Sequence, residues 1–191
     1  MPTKVKFDPQ NMDVLVSSER RRTLDTHRLL SSVPMMAHHV VADIGCGPGY
    51  FAIPLGKYLF DGKVYALDVQ QEMLDATKKA LEAINLTNVE LIKSLERKLP
   101  LEDECLDGAF AAFVLQEATS PAALLKDAWR CLKKSGWLVI LEWHKIKMDE
   151  GPPLDQRIDM DEMQAMIKKV GFRLSGKRDL NGKQYMMTMR K

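Results

Sequence analysis

The chain has 191 residues, which is the length of one compact domain. Hydrophobic residues make up 46% and charged residues 28% of the chain, and this composition excludes an intrinsically disordered polymer. The formal net charge of +2 supplies no general field for attracting a polyanion, so we expect no nucleic-acid partner.

The N-terminal residues contain no apolar run of the length that a signal peptide or a membrane span requires. We therefore expect a cytoplasmic protein without a membrane span. Cys46, Cys105 and Cys131 lie far apart and form no C-x-x-C pair. Their spacing predicts reduced structural thiols and no metal site.

The N-terminal segment contains a run of arginines behind a helix-capping serine, SSERRR at residues 17–22. Serine in this position predicts the start of a helix. A short charge run is typical of a solvated helix face, which we favour. The alternative is that these arginines meet an anionic substrate.

From residue 38 onward, short apolar runs alternate with amphipathic stretches, as in the repeated βα units of a parallel sheet. Strands are predicted at residues 40–44, 63–68, 89–93, 107–114 and 137–143. We expect both the third and the fourth of these strands to be buried.

Turn and cap signals divide the second half of the chain. A serine before a proline at residues 120–121 marks the start of a helix, which residues 133–136 would close. Asn-Gly at residues 181–182 is a strong hairpin signal. It joins two strand-like runs, 172–179 and 184–190, so we expect the chain to end in an antiparallel pair.

The turn after the first strand is rich in glycine and reads DIGCGPG over residues 43–49. Ligands bind at such strand-to-helix turns in open α/β sheets, and glycine lets the backbone approach a ligand closely. A second acidic residue, Asp68, ends the next strand. A carboxylate there would accept hydrogen bonds from both hydroxyls of a ribose.

Two common nucleotide motifs are absent from this turn. The nicotinamide fingerprint G-x-G-x-x-G requires glycine at the position where this chain has Tyr50, so NAD is disfavoured. A phosphate-binding P-loop is excluded because no Gly-Lys-Ser/Thr is present.

Four blocks of sequence follow one another along these elements: VVADIGCGPGYFAIPL (residues 40–55), YALDVQQEMLDATKKA (65–80), LPLEDECLDGAFAAFVLQEATSP (99–121) and LKKSGWLVILEW (132–143). Taken in order, they resemble the class I S-adenosylmethionine-dependent methyltransferases. The resemblance covers about residues 40–172. It is greatest with the small-molecule branch that includes the ubiquinone and menaquinone C-methyltransferases.

The resemblance implies an α/β fold, a Rossmann-like three-layer sandwich whose seven-stranded sheet is mostly parallel with one antiparallel C-terminal strand. It implies a single methyltransferase domain over residues 1–191. Residues 1–37 would form an N-terminal helical lid segment and residues 38–191 the Rossmann-like core. The cofactor would be S-adenosylmethionine, the product S-adenosylhomocysteine, and the acceptor a small molecule.

The resemblance also implies which residues hold the cofactor. Those around its methionine portion come from the glycine-rich turn: Asp43, Gly45, Cys46, Gly47 and Gly49. Those around its nucleoside follow the second and third strands: Asp68 at the ribose, Val69 and Met73 beside the adenine, and Leu95 and Glu96 near the adenine amino group. Gln116, just after the fourth strand, is expected by the methionine end.

Methyl transfer from a sulfonium needs nucleophile, methyl carbon and sulfur in line, so positioning does most of the catalysis. A hydroxyl, amine or carbon nucleophile also needs a base within hydrogen-bond reach. The ends of the fourth and fifth strands offer Gln116, Glu117, Glu142, Trp143 and His144. We select Glu117 and His144 as candidate bases; the alternative for a loop histidine is a solvated or capping role.

Other functions stay open at this point. Amino-methylating DNA enzymes carry Asn or Asp, two prolines and an aromatic after the fourth strand, where this chain has LQEA at residues 115–118. That difference and the near-neutral charge disfavour DNA, RNA or protein as the substrate.

Arsenite methylation would require converging cysteines. A catalytically silent S-adenosylmethionine-binding module would keep the cofactor pocket. The oligomeric state is not predicted.

Overall fold

Within residues 4–191, which the computed structural model describes, the chain forms one seven-stranded sheet, six α-helices and one 3-10 helix. The strands are β1 (Val40–Ile44), β2 (Lys63–Asp68), β3 (Val89–Lys93), β4 (Leu106–Ala112), β5 (Leu132–Trp143), β6 (Arg173–Asp179) and β7 (Gln184–Arg190). The α-helices are α1 (Ser18–Thr23), α2 (Thr26–Leu30), α3 (Ala52–Tyr58), α4 (Gln71–Glu82), α5 (Pro121–Cys131) and α6 (Met160–Val170), and the 3-10 helix covers Pro9–Val16. Among the helices in this part of the chain, none combines the length and the apolar character that crossing a bilayer demands.

The strand order in the sheet is β3-β2-β1-β4-β5-β7-β6. β1 pairs in parallel with β2 and β4, and β4 pairs in parallel with β5. β7 runs antiparallel to both of its neighbours, β5 and β6, and is the one reversed strand among the seven described. The predicted Rossmann-like fold, mostly parallel with one antiparallel C-terminal strand, is confirmed.

Apolar side chains cover both faces of the sheet, because successive residues of a strand point to opposite faces. On β5, Ile140 packs in the core cluster that takes in Leu125 of α5. Its neighbour Val139 packs in the cluster on the other face, which takes in Leu55 of α3. Helices on both faces and the sheet between them make the three layers of the sandwich.

The boundary between α5 and β5 differs from the prediction. The helix ends at Cys131 and β5 begins at Leu132, whereas the prediction put the helix end at residues 133–136 and the strand start at residue 137. Leu132 has an extended backbone and pairs with Leu106, after which the register shifts so that Gly108 pairs with Trp137. The polar residues 133–136 are therefore a bulge within the strand rather than the end of a helix.

Two further strand predictions need correction. β4 ends at Ala112, before the expected residue 114, because Phe113 adopts a φ of +63° and leaves the extended conformation. β3 was expected to be buried, yet its side chains are half-buried or exposed. β3 lies at the edge of the sheet, where it has one neighbouring strand.

The carboxyl ends of β1 and β4 lie side by side at the point where the strand order reverses. From β1 the chain passes through α3 to β2 on one side, while β4 and β5 extend the sheet on the other. A crevice forms at such a switch point, and ligands of open α/β sheets bind there. The glycine-rich turn after β1 lies at this point.

Candidate functional site

A cavity of about 760 Å³ opens at the switch point. Its walls include residues 44–48 at the end of β1 and in the glycine-rich turn, residues 68–70 at the end of β2, and residues 112–114 and 116–118 at the end of β4. Residues of the segment 5–24 line it as well. The predicted site residues can therefore be located relative to a single cavity.

Gly45 and Gly47 line the cavity with positive φ angles of +73° and +53°. A Cβ on Gly45 would overlap Val114, at 2.6 Å from its Cγ2. A Cβ on Gly47 would meet only a Leu15 methyl group, at 3.8 Å, among the described residues. Close packing against Val114 thus explains why position 45 is glycine, whereas the space beside Gly47 is the open volume of the cavity.

Gly49 lies at the contact between the glycine-rich turn and α4. It does not line the cavity, and a Cβ there would lie 3.1 Å from Cγ2 of Thr77 on α4. The Thr77 hydroxyl also donates a 2.7 Å hydrogen bond to the Gly47 carbonyl. Gly49, which has a φ of +90°, therefore lets the turn pack on α4, and its expected role around the methionine portion stays a prediction.

Asp68 lies on the cavity wall at the end of β2, with its side chain almost fully buried. One carboxylate oxygen accepts a 2.9 Å hydrogen bond from the Gly47 N–H, and the other accepts one of the same length from the Gln70 N–H. A carboxylate has about four lone-pair sites, so further donors can still bind. Burial raises the pKa of Asp68, while the hydrogen bonds from Gln70 and Gly47 oppose that shift.

Asp43 lies behind the glycine-rich turn instead of lining the cavity. Its side chain is 1% exposed, and within residues 4–191 its Oδ2 has no hydrogen-bond partner. Burial, and secondly the negative charge of Asp68, raise the pKa of Asp43 to about 7. The structure therefore places Asp43 outside the cavity lining, and its expected role around the methionine portion stays a prediction.

Cys46, Val69 and Met73 line the cavity, together with Leu95 and Glu96. The Glu96 carboxylate already forms an ion pair with Lys6 and accepts a 2.6 Å hydrogen bond from the Thr119 hydroxyl. Leu95 is 70% exposed at the cavity mouth. In this structure, the Glu96 carboxylate is therefore bound by other residues of the protein.

Gln116 and Glu117 follow β4 and both line the cavity. The Gln116 side chain is buried, and in the described part of the chain its Oε1 has no hydrogen-bond partner. Glu117 accepts a 3.1 Å hydrogen bond from the Phe7 N–H. Burial raises the pKa of Glu117 to about 6, so this carboxyl group titrates near neutrality.

Glu142 at the end of β5 is fully buried and does not line the cavity. One of its oxygens accepts hydrogen bonds from the N–H groups of Leu115 (2.9 Å) and Gln116 (3.2 Å). Burial raises the pKa of Glu142 to about 8. This side chain therefore supports the turn after β4 from behind.

His144, one of the two candidate bases, is not brought to the cavity. Its Nε2 lies 2.8 Å from Oδ1 of Asp179, and its ring packs against Tyr185 with the centroids 5.3 Å apart. Alternation along a strand explains this placement, because Trp143 faces the cavity and the next residue points away. We therefore withdraw His144 as a candidate base.

The N-terminal segment crosses the cavity mouth and is tied to both sides of it. Phe7 donates its N–H to Glu117, and its carbonyl accepts a 3.1 Å hydrogen bond from Nε2 of Gln70. Ser17 caps α1 as predicted, since its Oγ accepts a 3.2 Å hydrogen bond from the Arg20 N–H.

Arg20 is a cavity residue that the sequence reasoning did not single out. A solvated helix face was favoured for the whole arginine run, with contact to an anionic substrate as the alternative; Arg21 and Arg22 are exposed, whereas Arg20 lines the cavity. Leu24, four residues later, is buried. Residues i and i+4 share a helix face, so that spacing was the signal that could have distinguished Arg20 from its neighbours.

In the part of the chain that the structure describes, no group of three His, Cys, Asp or Glu side chains could hold a metal ion. Cys46 and Cys131 are buried, Cys105 is half-buried, and all three are free thiols. Of these cysteines, Cys46 alone lines the cavity. The described cysteines therefore do not converge on one site.

The model of a family described as "Methyltransferase domain" matches residues 42–140. The demethylmenaquinone methyltransferase of Bacillus mycoides (strain KBAB4) is 31% identical over 138 residues, which cover 72% of this chain and 57% of that protein. The chain spans about half the length of the curated relatives it matches.

Two solved structures share the fold. A crystal structure of a SAM-dependent methyltransferase from Aquifex aeolicus superposes with a TM-score of 0.92 at 30% identity, covering 97% of this chain and 99% of that one. The [4+2]-cyclase SpnF superposes with a TM-score of 0.80 at 16% identity, covering 99% of this chain and 86% of that one, which shows the fold alone. On the match of the family model, with the fold and the relatives in agreement, the chain belongs to the class I S-adenosylmethionine-dependent methyltransferases.

Proposed function

We propose that this chain transfers the methyl group of S-adenosylmethionine to a small-molecule acceptor. One observation carries the proposal: in a member of this family, the open backbone at Gly47 and the carboxylate of Asp68 share one cavity wall and are joined by a 2.9 Å hydrogen bond. The cavity is of the size that holds small ligands.

The residues present fit this cofactor. Asp68, fixed by two backbone donors, keeps lone pairs for the two hydroxyls of a ribose. Gly47 offers backbone where a side chain would fill the cavity. The buried Oε1 of Gln116, which has no partner among the described residues, is suited to accept a hydrogen bond from the ammonium group of the methionine portion. When bound, the cofactor supplies an electrophilic methyl group on a sulfonium.

The chain's own residues would bind and orient the cofactor and the acceptor and shield them from water. We propose that the segment containing Phe7 acts as a lid, because it bridges Gln70 on one side of the cavity mouth and Glu117 on the other. A closed cavity excludes water and holds the acceptor in line, which is the main requirement of methyl transfer. Glu117 is the remaining candidate base, since its carboxylate lines the cavity and is mostly ionised above pH 6.

The proposal is tested by incubating the full chain with S-adenosylmethionine and a panel of quinols, phenols, amines and thiols, and measuring S-adenosylhomocysteine release. We expect turnover with at least one class and a strong reduction in Asp68→Asn. Asp75→Asn, on the exposed side of α4, is the matched control and should retain full turnover. Tight cofactor binding without release for any acceptor would instead identify the silent binding module.

The role of Glu117 predicts a pH profile. A base must be deprotonated, so kcat/KM should fall as the pH drops below about 6. Glu117→Gln should lower kcat by roughly 10² to 10⁴-fold and remove this acidic limb. Glu102→Gln, at an exposed position, serves as the control. An unchanged kcat and pH profile in Glu117→Gln would exclude the base assignment.

A further inference from the structure

Three cationic side chains line the cavity: Lys6, Arg20 and Lys183. Lys6 pairs with Glu96, and Lys183 lies 2.7 Å from a carboxylate oxygen of Glu150. Within residues 4–191, Arg20 has no carboxylate within ion-pair distance, and its Nε is buried without a hydrogen-bond partner. Arg20 is thus the cavity cation whose charge the described protein does not neutralise.

The Arg20 guanidinium is held in place by two aromatic rings. Its central carbon lies 5.0 Å from the ring centroid of Tyr50 and 5.0 Å from that of Phe113. The Tyr50 ring is itself fixed, because its hydroxyl donates a 2.6 Å hydrogen bond to the Leu24 carbonyl. The guanidinium is therefore positioned before any ligand binds, and little further ordering is needed when a partner arrives.

An unpaired cation in a mostly buried position is unfavourable. Burial accordingly lowers the pKa of Arg20. A guanidinium carries five donors in a planar fork that matches the two oxygens of a carboxylate, and it stays charged at neutral pH. An anion entering the cavity would compensate the missing partner with charge-assisted hydrogen bonds.

We propose that Arg20 binds a carboxylate group of the methyl acceptor, and that the acceptor is therefore an acid with an apolar, aromatic-sized body. This inference rests on the proposed function, since it assigns the acceptor class of the same cavity. The apolar part of the acceptor would contact Tyr50 and Phe113 beside Arg20 and the other apolar side chains of the same cavity, Leu24, Trp143 and Pro152.

The test uses pairs of probes of matched shape in which a neutral amide replaces the carboxylate: benzoate with benzamide, and 1-naphthoate with 1-naphthamide. Each is titrated calorimetrically into the full chain, with and without saturating S-adenosylhomocysteine. For at least one pair, we expect the wild type to bind the acid about tenfold or more tightly than the amide, the effect of one charge-assisted contact. Arg20→Gln should remove this preference, and Arg22→Gln, an exposed neighbour on the same helix, should keep it.

Equal affinity for acid and amide in both pairs, including no detectable binding of either, would overturn the proposal. Retention of the preference in Arg20→Gln would overturn it as well. Affinity for S-adenosylhomocysteine should stay within about twofold in Arg20→Gln. A larger loss of this affinity would mean that Arg20 binds the carboxylate of the cofactor's methionine portion, and it would overturn the proposal. If the wild type does not bind S-adenosylhomocysteine, the proposed function fails, and the titrations without it still decide the role of Arg20.

Discussion

Buried carboxyl groups concentrate at the strand ends around the cavity. Burial is the largest cause of the raised pKa in each: about 7 for Asp43, about 6 for Glu117 and about 8 for Glu142. Removing a carboxylate from water disfavours its charged form. Around neutral pH, Glu142 and a part of the Asp43 population, which lie outside the cavity lining, therefore hold protons that the same side chains would release in the unfolded chain.

Because Glu142 takes up a proton on folding, we predict that the free energy of unfolding depends on pH. Its folded pKa of about 8 exceeds its ordinary value of 4.5, so the native state binds the extra proton between these values. The free energy of unfolding should then fall as the pH rises from about 4.5 to about 8, by at most about 1.4 kcal/mol per pH unit from this group.

Urea unfolding of the wild type and Glu142→Gln at several pH values measures this dependence. The amide keeps an oxygen for the N–H groups of Leu115 and Gln116 but does not titrate. The variant should gain stability relative to the wild type as the pH is raised across that window. A constant difference between the two proteins from pH 5 to pH 8 would show that Glu142 is not the titrating group.

Which side chains face the cavity was only partly predictable from the sequence. Cys46, Asp68, Met73 and Gln116 line the cavity, and for Asp68 and Gln116 the reason is that residues at the carboxyl ends of parallel strands converge on one edge. His144 does not line it, because facing direction alternates along a strand and depends on where the extended backbone ends. That end is set by pairing with β7, a long-range contact that local pattern does not contain.

At the scale of elements, the glycines of the turn after β1 differ in role: Gly47 borders the open cavity, whereas Gly45 and Gly49 allow close packing. Gly47→Ala would place a methyl group into the cavity, at a backbone conformation that costs a non-glycine residue about 1–2 kcal/mol. Gly182, in the β6–β7 turn, has a φ of +74°, and a Cβ added there would meet no atom of the described residues within 4 Å. It is the matched control for backbone strain.

We expect Gly47→Ala and Gly182→Ala to lose comparable stability, measured as the shift in urea midpoint at constant m-value. Only Gly47→Ala should weaken S-adenosylhomocysteine binding, by about tenfold or more in calorimetry. Equal affinity in the two variants would mean that the backbone at Gly47 does not approach the cofactor.

The N-terminal segment should behave as a separate, less stable unit. Residues 4–16 contain no buried side chain, and the segment is held at the cavity by its contacts with Glu117, Gln70 and Glu96. Amides in this segment should exchange with deuterium early and become protected when S-adenosylhomocysteine binds, while amides of β5 stay protected throughout. Mass-spectrometric exchange tests this; unchanged protection in residues 4–16 would remove the lid proposal.

Element types were more predictable than element boundaries. The Asn-Gly hairpin at residues 181–182 follows from local turn chemistry and is confirmed. The start of β5 at Leu132 depends on its pairing with Leu106 across a bulge, and four polar residues there gave the local signature of a helix end. Tertiary pairing overrode that signature.

At the scale of the whole molecule, the strand order creates the site. The reversal between β1 and β4 opens one crevice, and the glycine-rich turn, Asp68 and Glu117 all lie at it. The sequence predicted this fold class because alternating strands and helices admit few topologies. It did not predict the acceptor side, where residues from the N-terminal helices and the end of β5 meet only in three dimensions.

The account depends on the crevice holding a methionine-linked nucleoside, and calorimetric titration of the full chain with S-adenosylhomocysteine and, separately, with NAD tests this most directly. We predict saturable binding of S-adenosylhomocysteine at one site per chain, a loss of roughly 1–3 kcal/mol of binding free energy in Asp68→Ala, and no binding of NAD. No heat with S-adenosylhomocysteine, tighter binding of NAD, or full affinity in Asp68→Ala would contradict it.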